Sequence, residues 1–394
     1  MEQPVDLFRL ETRQWLQDNC PQSIRKPGFV PWGSSKIKLD EDSAHWLSVM
    51  SVKGWTVPTW PEEYGGAGLN KEQYLVIQQE MQRIGARPAL TGRGINYIGP
   101  TVLEFGSDEQ KSRWLPKFAR GEGGWCMGYS EPEAGSDLAN LKLRAEEDGD
   151  NYRLNGMKIW TSDGLYGDWI FCLVRTDPNK SKHEGISLVL VNMEQPGVRV
   201  RPIKLISGNS PFCETFFEDA IAKKSDLIGG VNQGWGVGKR LLQYERSVHG
   251  GVNTSGAQAQ EAKSSLLDLA KRYLPRDQNT HAQQAFRNRL LRLEMNNKAY
   301  KLTQRRVIAE TQAAAPALAT SILKVKGAEF SQERVEVQQA LMGIQGCGWE
   351  GDQFSSSELA LTREWLTSRA ISIYGGTSEI QKNIIAKRVL GLPD

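Results

Sequence analysis

Apolar residues recur at helical spacing towards both ends of this chain and at strand spacing in its middle. Leu7, Leu10, Trp15 and Leu16 fall near a 3.6-residue period, and Tyr74, Ile77 and Met81 repeat it between residues 71 and 84. Residues 5–120 therefore read mainly as helices, broken by the Pro- and Gly-punctuated loop Gly54–Gly66. Beyond Gly121 the runs shorten and become β-rich. Tyr152-Arg153-Leu154, then Asn155-Gly156, then Met157-Lys158-Ile159-Trp160 predict a hairpin closed by an Asn-Gly turn. Strands follow over 169–175, 186–192 and 198–203, the last alternating as a half-exposed strand does. After Gly234-Trp235-Gly236 the helical period returns, with long helical stretches over 282–311 and 318–345 and connections over 275–281 and 346–357. This order suggests three domains, a helical one over 1–122, a β domain over 123–232 and a helical bundle over 233–394.

Length and composition leave that picture intact and narrow its chemistry. A chain of 394 residues has room for two or three structural units around a large core. The 49 Lys and Arg nearly cancel 46 Asp and Glu, and a net charge of +3 gives no reason to expect nucleic acid or an anionic membrane as the main partner. Five cysteines without a CxxC pair read as free thiols in a reducing compartment, and four histidines without ligand spacing argue against a metal site. There is no basic-then-apolar leader, and no apolar run approaches the roughly 18 residues of a membrane span; a cytoplasmic protein is the default expectation.

Two segments carry the strongest chemical signal. Ile373-Tyr374-Gly375-Gly376-Thr377-Ser378-Glu379 is a tight corner delivering Thr, Ser and Glu into a helix start, where free N–H groups suit an anionic ligand. Tyr129-Ser130-Glu131-Pro132-Glu133-Ala134-Gly135-Ser136-Asp137 supplies hydroxyls and flexible amides ahead of the β-rich region. Each alone reads as a polar loop or a helix cap. Gly234-Trp235-Gly236-Val237-Gly238-Lys239 looks phosphate-binding, but Gln233 and Arg240 stand where a Walker motif needs Gly and Ser or Thr. No GxGxxG, GxSxG or Cys/His pairing supports a Rossmann site or a hydrolase.

Together, in this order and separation, the two segments resemble the acyl-CoA dehydrogenases, flavoenzymes that desaturate acyl-CoA thioesters. The resemblance runs from the Trp60-Pro61-Glu62-Glu63-Tyr64-Gly65-Gly66 loop to Leu392. It implies an α+β fold with an N-terminal helical domain, a central β domain and a C-terminal four-helix bundle, with FAD as cofactor. Met127, Tyr129 and Ser130 match the positions that run along the flavin, and Ser136 one that contacts the acyl-CoA. Asn155-Gly156-Met157-Lys158-Ile159 resembles the family's entry to a second flavin-facing piece, here Trp160, Thr161 and Ser162. Thr377, Ser378 and Glu379 match contacts to the flavin's phosphates or adenosine half. Gln339 to Gly343 match a segment that meets a neighbouring subunit's flavin, although in isolation Gln339 reads as an exposed helix residue.

Desaturation needs a carboxylate to take the α-proton as hydride leaves the β-carbon. Many members place that Glu directly after the Tyr of the corner, where this chain has Gly375. A subset, the isovaleryl-type enzymes among them, carries the base on the first long helix of the C-terminal bundle and a small residue at the corner. Glu245 with Gly375 fits that arrangement; otherwise Glu245 reads as a solvent-facing residue paired with Arg246. Arg246 would then orient the base or the substrate, and amides at Gly375 and Gly376 would polarise the thioester carbonyl. The resemblance further implies an electron-transfer flavoprotein as acceptor and a homo- or hetero-oligomer, dimer or tetramer. Lys271-Arg272-Tyr273-Leu274-Pro275 lacks the Phe-Gly with which many homotetrameric members grip a neighbour's flavin, which keeps a flavin-completing, non-catalytic subunit open as an alternative. An oxidase using oxygen as acceptor is a further alternative. Gly250, Gly251 and Gly256 hint at room for a bulky acyl group or at close helix packing.

Overall fold

A computed structural model describes residues 5–249, 266–274, 280–312 and 320–393. The chain divides into two compact units, one holding residues 5–203 and 211–248, the other 204–210 and the described residues from 266 onward.

The first unit opens with helices α1 (Val5–Asn19), α2 (Glu41–Val52), α3 (Lys71–Arg83), α4 (Gly99–Phe105) and α5 (Asp108–Ala119), with a π-helical turn over Gly94–Ile98. In α1 the buried stripe is Phe8, Thr12 and Leu16, while Leu7 and Leu10 are exposed. The i, i+4, i+8 spacing of the first three keeps them on one face, which the less regular Leu7–Leu10–Trp15 series does not. They meet Trp46, Met50, Trp55, Val76 and Ile77 in a small core of their own. Reciprocal capping boxes at Asn70 and Gln73 and at Ser107 and Gln110 fix the starts of α3 and α5.

The sheet follows as β1 (Trp125–Gly128), β2 (Arg144–Asp148), β3 (Asn151–Ser162), β4 (Trp169–Arg175), β5 (Ile186–Asn192), β6 (Val198–Ile203), β7 (Phe212–Lys223) and β8 (Leu227–Ile228). Strand order is β6-β7-β3-β2-β4-β5-β8, and β1 lies parallel to β4. The apolar runs of β4 and β5 are buried almost throughout, whereas β6 leaves Arg199, Arg201 and Pro202 exposed.

The Asn-Gly hairpin does not form. β3 runs unbroken through Asn155 and Gly156, and the turn joins β2 to β3 at Gly149-Asp150, where Asp148 faces Asn151. Asn155-Gly156 instead marks an irregularity in the β3–β7 ladder. There Gly156 adopts φ 143° and Asn155 exchanges hydrogen bonds with Asp219, donating to its carboxylate at 3.0 Å and accepting from its amide at 2.9 Å. A long-range partner on β7 thus claims the residues whose local chemistry favours a turn.

Helix α6 (Gly234–His249) packs in this unit through Val237 and Leu241, which join Trp60, Trp114, Tyr129 and Phe171 in the largest core. The second unit is helical, comprising α7 (Leu266–Tyr273), α8 (His281–Gln312), α9 (Thr320–Met342), α10 (Ser356–Ser368) and α11 (Ser378–Ile384). Leu266, Leu269, Leu293, Val337 and Leu341 form its principal core among the described residues.

Candidate active site

The residues singled out on β1, β3 and α6 all fall in the first unit. Gly128 ends β1 opposite Cys172 of β4, and a Cβ there would stand 2.5 Å from the Cys172 sulfur, so only glycine fits. On either side of it, Met127 is half-buried and Tyr129 is buried. The Tyr129 ring meets Phe171 edge-on at 6.2 Å, and its hydroxyl has no hydrogen-bond partner among the described residues. The carbonyl of Ser130 accepts from the amide of Ile159 at 2.9 Å, which joins the 129–130 segment to the end of β3.

That end of β3 is a bulge. Lys158 pairs with Thr215 and Thr161 with Cys213, so Ile159 and Trp160 together oppose Glu214 alone. Trp160 carries the adjustment at φ 61°, a left-handed conformation that bulky residues rarely adopt, and leaves its indole half-exposed beside Phe212. Thr161 turns the other way, fully buried, its hydroxyl accepting from Thr215 at 3.1 Å. Ser162 is half-buried, and Asp163, also left-handed, accepts from Arg93 at 3.0 Å. Ser136 lies exposed in the loop after Gly135, next to Asp137, which pairs with Lys182 at 2.6 Å.

Glu245 is half-buried on α6. Burial pushes the hydroxyls of Tyr97 and Tyr129 well above the usual tyrosine range, and in both the negative charge of Glu245 adds to the rise. The carboxylate thus sits within electrostatic reach of two buried phenols and is not a residue of an open helix face. Its helix is held at several points. Glu104 of α4 accepts from Arg240 at 2.7 Å and from Tyr244 at 2.6 Å. Gly234 lies so close to Ser187 that a Cβ would stand 2.3 Å from its backbone, and Gly238 sits against Leu173 and the Tyr129 hydroxyl. Of the glycines that imitate a phosphate loop, Gly234 and Gly238 serve close packing, and Gly236 has open space around it. Arg246 continues the helix, and its side chain lies outside the described residues, as do Gly250, Gly251 and Gly256.

In the second unit, Gly375 and Gly376 turn the chain at φ 65° and 87°, and Thr377 caps α11 by accepting from Ile380 at 3.2 Å. The carbonyl of Gly375 accepts from the buried Gln381 at 3.1 Å, and that of Ile371 from Lys324 at 2.8 Å, so the corner is braced from two sides. Ser378 is half-buried and Glu379 exposed. Gln339 is half-buried instead of exposed: its amide donates to the carbonyl of Gly346, which folds the side chain against the end of its own helix. Gly343 ends α9 in a left-handed conformation, φ 58°. Lys271, Arg272 and Tyr273 close α7, where Tyr273 donates to Glu358; Pro275 lies outside the described residues.

Three family descriptions match the chain: acyl-CoA dehydrogenase N-terminal domain over residues 7–122, middle domain over 126–220 and C-terminal domain over 232–390. The chain belongs to the acyl-CoA dehydrogenase family. It is an oxidoreductase of a flavoprotein family, with the helical–sheet–helical order its fold requires. Acyl-CoA dehydrogenase IpdE1 of Mycolicibacterium smegmatis is 35% identical to it over 401 residues, 99% of this chain and 98% of that one. Among solved structures, the Tcur3481-Tcur3483 steroid ACAD matches with a TM-score of 0.76 at 25% identity, over 100% of this chain and 99% of that chain. The ChsE4-ChsE5 complex from Mycobacterium tuberculosis matches with a TM-score of 0.72 at 26% identity, again over 100% and 99%. No helix among the described residues of this acyl-CoA dehydrogenase is long and apolar enough to cross a membrane.

Sequence reasoning missed four residues of this region. Arg93 and Tyr97 carry no local signal, because their partners Asp163 and Glu245 are far away in the chain. Lys158 and Glu131 lie inside the quoted motifs and form a buried ion pair at 2.7 Å. A lysine at an inward position of a strand was the available clue.

Proposed function

We propose that this chain binds FAD and converts an acyl-CoA thioester to the trans-2-enoyl-CoA, with Glu245 as the base. The observation that carries the reading is the placement of Glu245: on α6, half-buried, with its charge felt by Tyr97 and Tyr129, in a chain whose corner residue is Gly375. The residues present fit a flavin. The ends of β1 and β3 lie side by side through the Ser130–Ile159 hydrogen bond, and beside them the strained bulge turns the Trp160 indole outward. Met127, Trp160 and Ser162 would line the ring system with side chains; Tyr129, Ser130 and Thr161 would do so with backbone, since the Tyr129 ring and the Thr161 hydroxyl are committed to the core. Thr377, Ser378 and Glu379 would serve the phosphates or the adenosine half, and Gln339 and Gly343 a neighbouring subunit's flavin.

Bound flavin supplies the acceptor for the hydride leaving the β-carbon. Glu245 takes the α-proton, and the buried Tyr97 and Tyr129, whose hydroxyls feel its charge, belong with Leu241 of the same helix to the apolar core of this unit. Amides at Gly375 and Gly376 polarise the thioester carbonyl, Arg246 orients the base, and Ser136 contacts the CoA portion. A cleft of about 540 Å³ lined by Lys180, His183, Asn232 and Trp235 offers a cation and two neighbouring rings, centroids 4.8 Å apart, for the nucleotide end. An electron-transfer flavoprotein would be the acceptor for the electrons that bound flavin takes up.

The second reading concerns assembly. Both solved structures named above are described by pairs of chains, and this chain lacks the Phe-Gly after Tyr273, which favours a hetero-oligomer over a homotetramer. An anaerobic absorbance titration with a panel of linear, branched and ring-bearing acyl-CoAs tests the whole. Bleaching of the flavin band by one class, abolished in E245Q with FAD retained, supports the reading. Undiminished bleaching in E245Q refutes the base, and a chain that takes up FAD only when a related chain is co-expressed supports the paired assembly.

A further inference from the structure

Lys158 is fully buried, and its ammonium makes two contacts: it donates to Glu131 Oε1 at 2.7 Å and to the Tyr129 carbonyl at 3.1 Å. Glu131 is buried as well, and its remaining capacity is taken by backbone, the amides of Lys142 at 2.6 Å and Leu143 at 3.0 Å. A buried lysine is costly unless it is paired, and replacing such a pair by apolar or neutral groups is often neutral for stability. What this pair does hold is geometry. Lys158 is the last residue of regular pairing before the bulge, two positions ahead of Trp160, and its ammonium grips the segment that contains Tyr129 and Ser130. Among the described residues one other hydrogen bond, from the Ile159 amide to the Ser130 carbonyl, fastens the same two pieces. The left-handed Trp160 stores backbone strain of the kind that persists only where surroundings over-determine it.

We propose that Lys158, with Glu131, is a positioning residue for the flavin face: the pair holds the 129–130 segment against β3 and thereby fixes the Trp160 bulge. This rests on the flavin site proposed above. The pair touches neither reacting atoms nor cofactor and acts through Trp160 and Ser130. Burial drives the Lys158 ammonium towards losing its proton, and the facing Glu131 carboxylate opposes that.

The test is FAD binding to the full-length chain, followed by flavin absorbance and fluorescence. K158M alone leaves a buried carboxylate facing an apolar chain and can unfold, so E131Q/K158M, neutral at both positions, is the decisive variant. The expected result is an apoprotein with unchanged far-UV circular dichroism whose FAD dissociation constant rises at least tenfold. D226N, which alters the unrelated buried Arg113–Asp226 pair, is expected to lower the thermal midpoint with FAD affinity within twofold of wild type. W160F supplies the readout a merely structural pair would not move. It should weaken FAD binding in the wild-type background and change it less than twofold in E131Q/K158M, because the indole there is already misplaced. Wild-type affinity in E131Q/K158M, or effects of W160F that multiply fully in both backgrounds, overturns the role of Lys158 and leaves the flavin site standing. A wild-type chain that binds no FAD, alone or with a co-expressed related chain, overturns both.

Discussion

Replacing Gly128 by alanine tests how tightly the end of β1 is packed, and its cost can be worked out in advance. The added Cβ would lie 2.5 Å from the Cys172 sulfur and 2.9 Å from Ile170 Cδ1, both shorter than real Cβ contacts. The Ile170 methyl can swing away, but Cys172 is locked in the parallel register of β1 and β4 and is fully buried. Overpacking of this kind costs about 1–3 kcal/mol. Against that, Gly128 has no left-handed φ to lose, so alanine regains about 0.4–1 kcal/mol by restricting the unfolded chain. The net expectation is a loss of about 1–2 kcal/mol, or a fall in midpoint of about 2–8 °C for a unit of this size. C172A removes the offending sulfur, so G128A/C172A should be more stable than the two single losses added together by about 1 kcal/mol. Urea and thermal unfolding of the four proteins measure this cycle, and FAD affinity should follow it, since Met127 and Tyr129 flank the site. Additivity within about 0.5 kcal/mol, or a neutral G128A, would refute the claim that the sulfur sets the approach.

Three further outcomes are expected. Glu80 is buried and accepts from Arg9, Arg13 and Arg83 at 3.3, 2.9 and 2.7 Å, which holds its carboxyl down to about 2. Its stabilisation is therefore present above the ordinary glutamate range near 4.5 and lost as pH falls towards 2. Discounted for the exposure of the arginines, E80Q should cost about 1–2 kcal/mol at pH 7 and well under half of that at pH 2.5, read by denaturation at both. W160G should leave the apoprotein within about 1 kcal/mol of wild type, because relief of the left-handed φ offsets the entropy of glycine, while FAD release accelerates; an apoprotein that loses several kcal/mol would contradict the strain. Of the five thiols, only Cys347 is exposed, and burial pushes Cys126 and Cys172 up to about 12, so a thiol reagent at pH 8 should modify one cysteine in the native chain and five after denaturation.

Local pattern carried the elements whose partners impose nothing unusual. Trp169–Arg175 and Ile186–Asn192 are short apolar runs that read as strands, and strands form over those residues. Asn155-Gly156 misled because its structure is decided by Asp219, far along the chain, and Gln339 because its amide finds Gly346 beyond the helix end. The site shows the same division. Contiguous motifs such as Tyr129-Ser130 and Trp160-Thr161-Ser162 could be picked out as candidates, but which of their side chains turn outward could not, because the bulge at Trp160 breaks the alternation that would otherwise assign faces. Arg93, paired with Asp163 across seventy positions, could not have been found at all without the fold.

The corner and α6, each taken by itself, give a carboxylate different footings. Gly375 adopts φ 65°, where a residue with a Cβ would cost about 1–2 kcal/mol before any function is considered. A glutamate there would also hang from a loop whose Gly375 carbonyl accepts from Gln381 and whose Ile371 carbonyl accepts from Lys324. Glu245 has a different footing. One residue before it, Tyr244 is tied to Glu104, one turn further back Arg240 is tied to the same carboxylate, and at Gly234 and Gly238 the helix presses directly on β5 and on Tyr129 and Leu173. A proton transfer demands that its base be held to within a few tenths of an ångström through turnover, and a helix pinned at four points suits the role proposed for Glu245. With the base proposed on α6, the corner of this chain keeps left-handed glycines at 375 and 376, whose amides are the proposed partners of the thioester carbonyl.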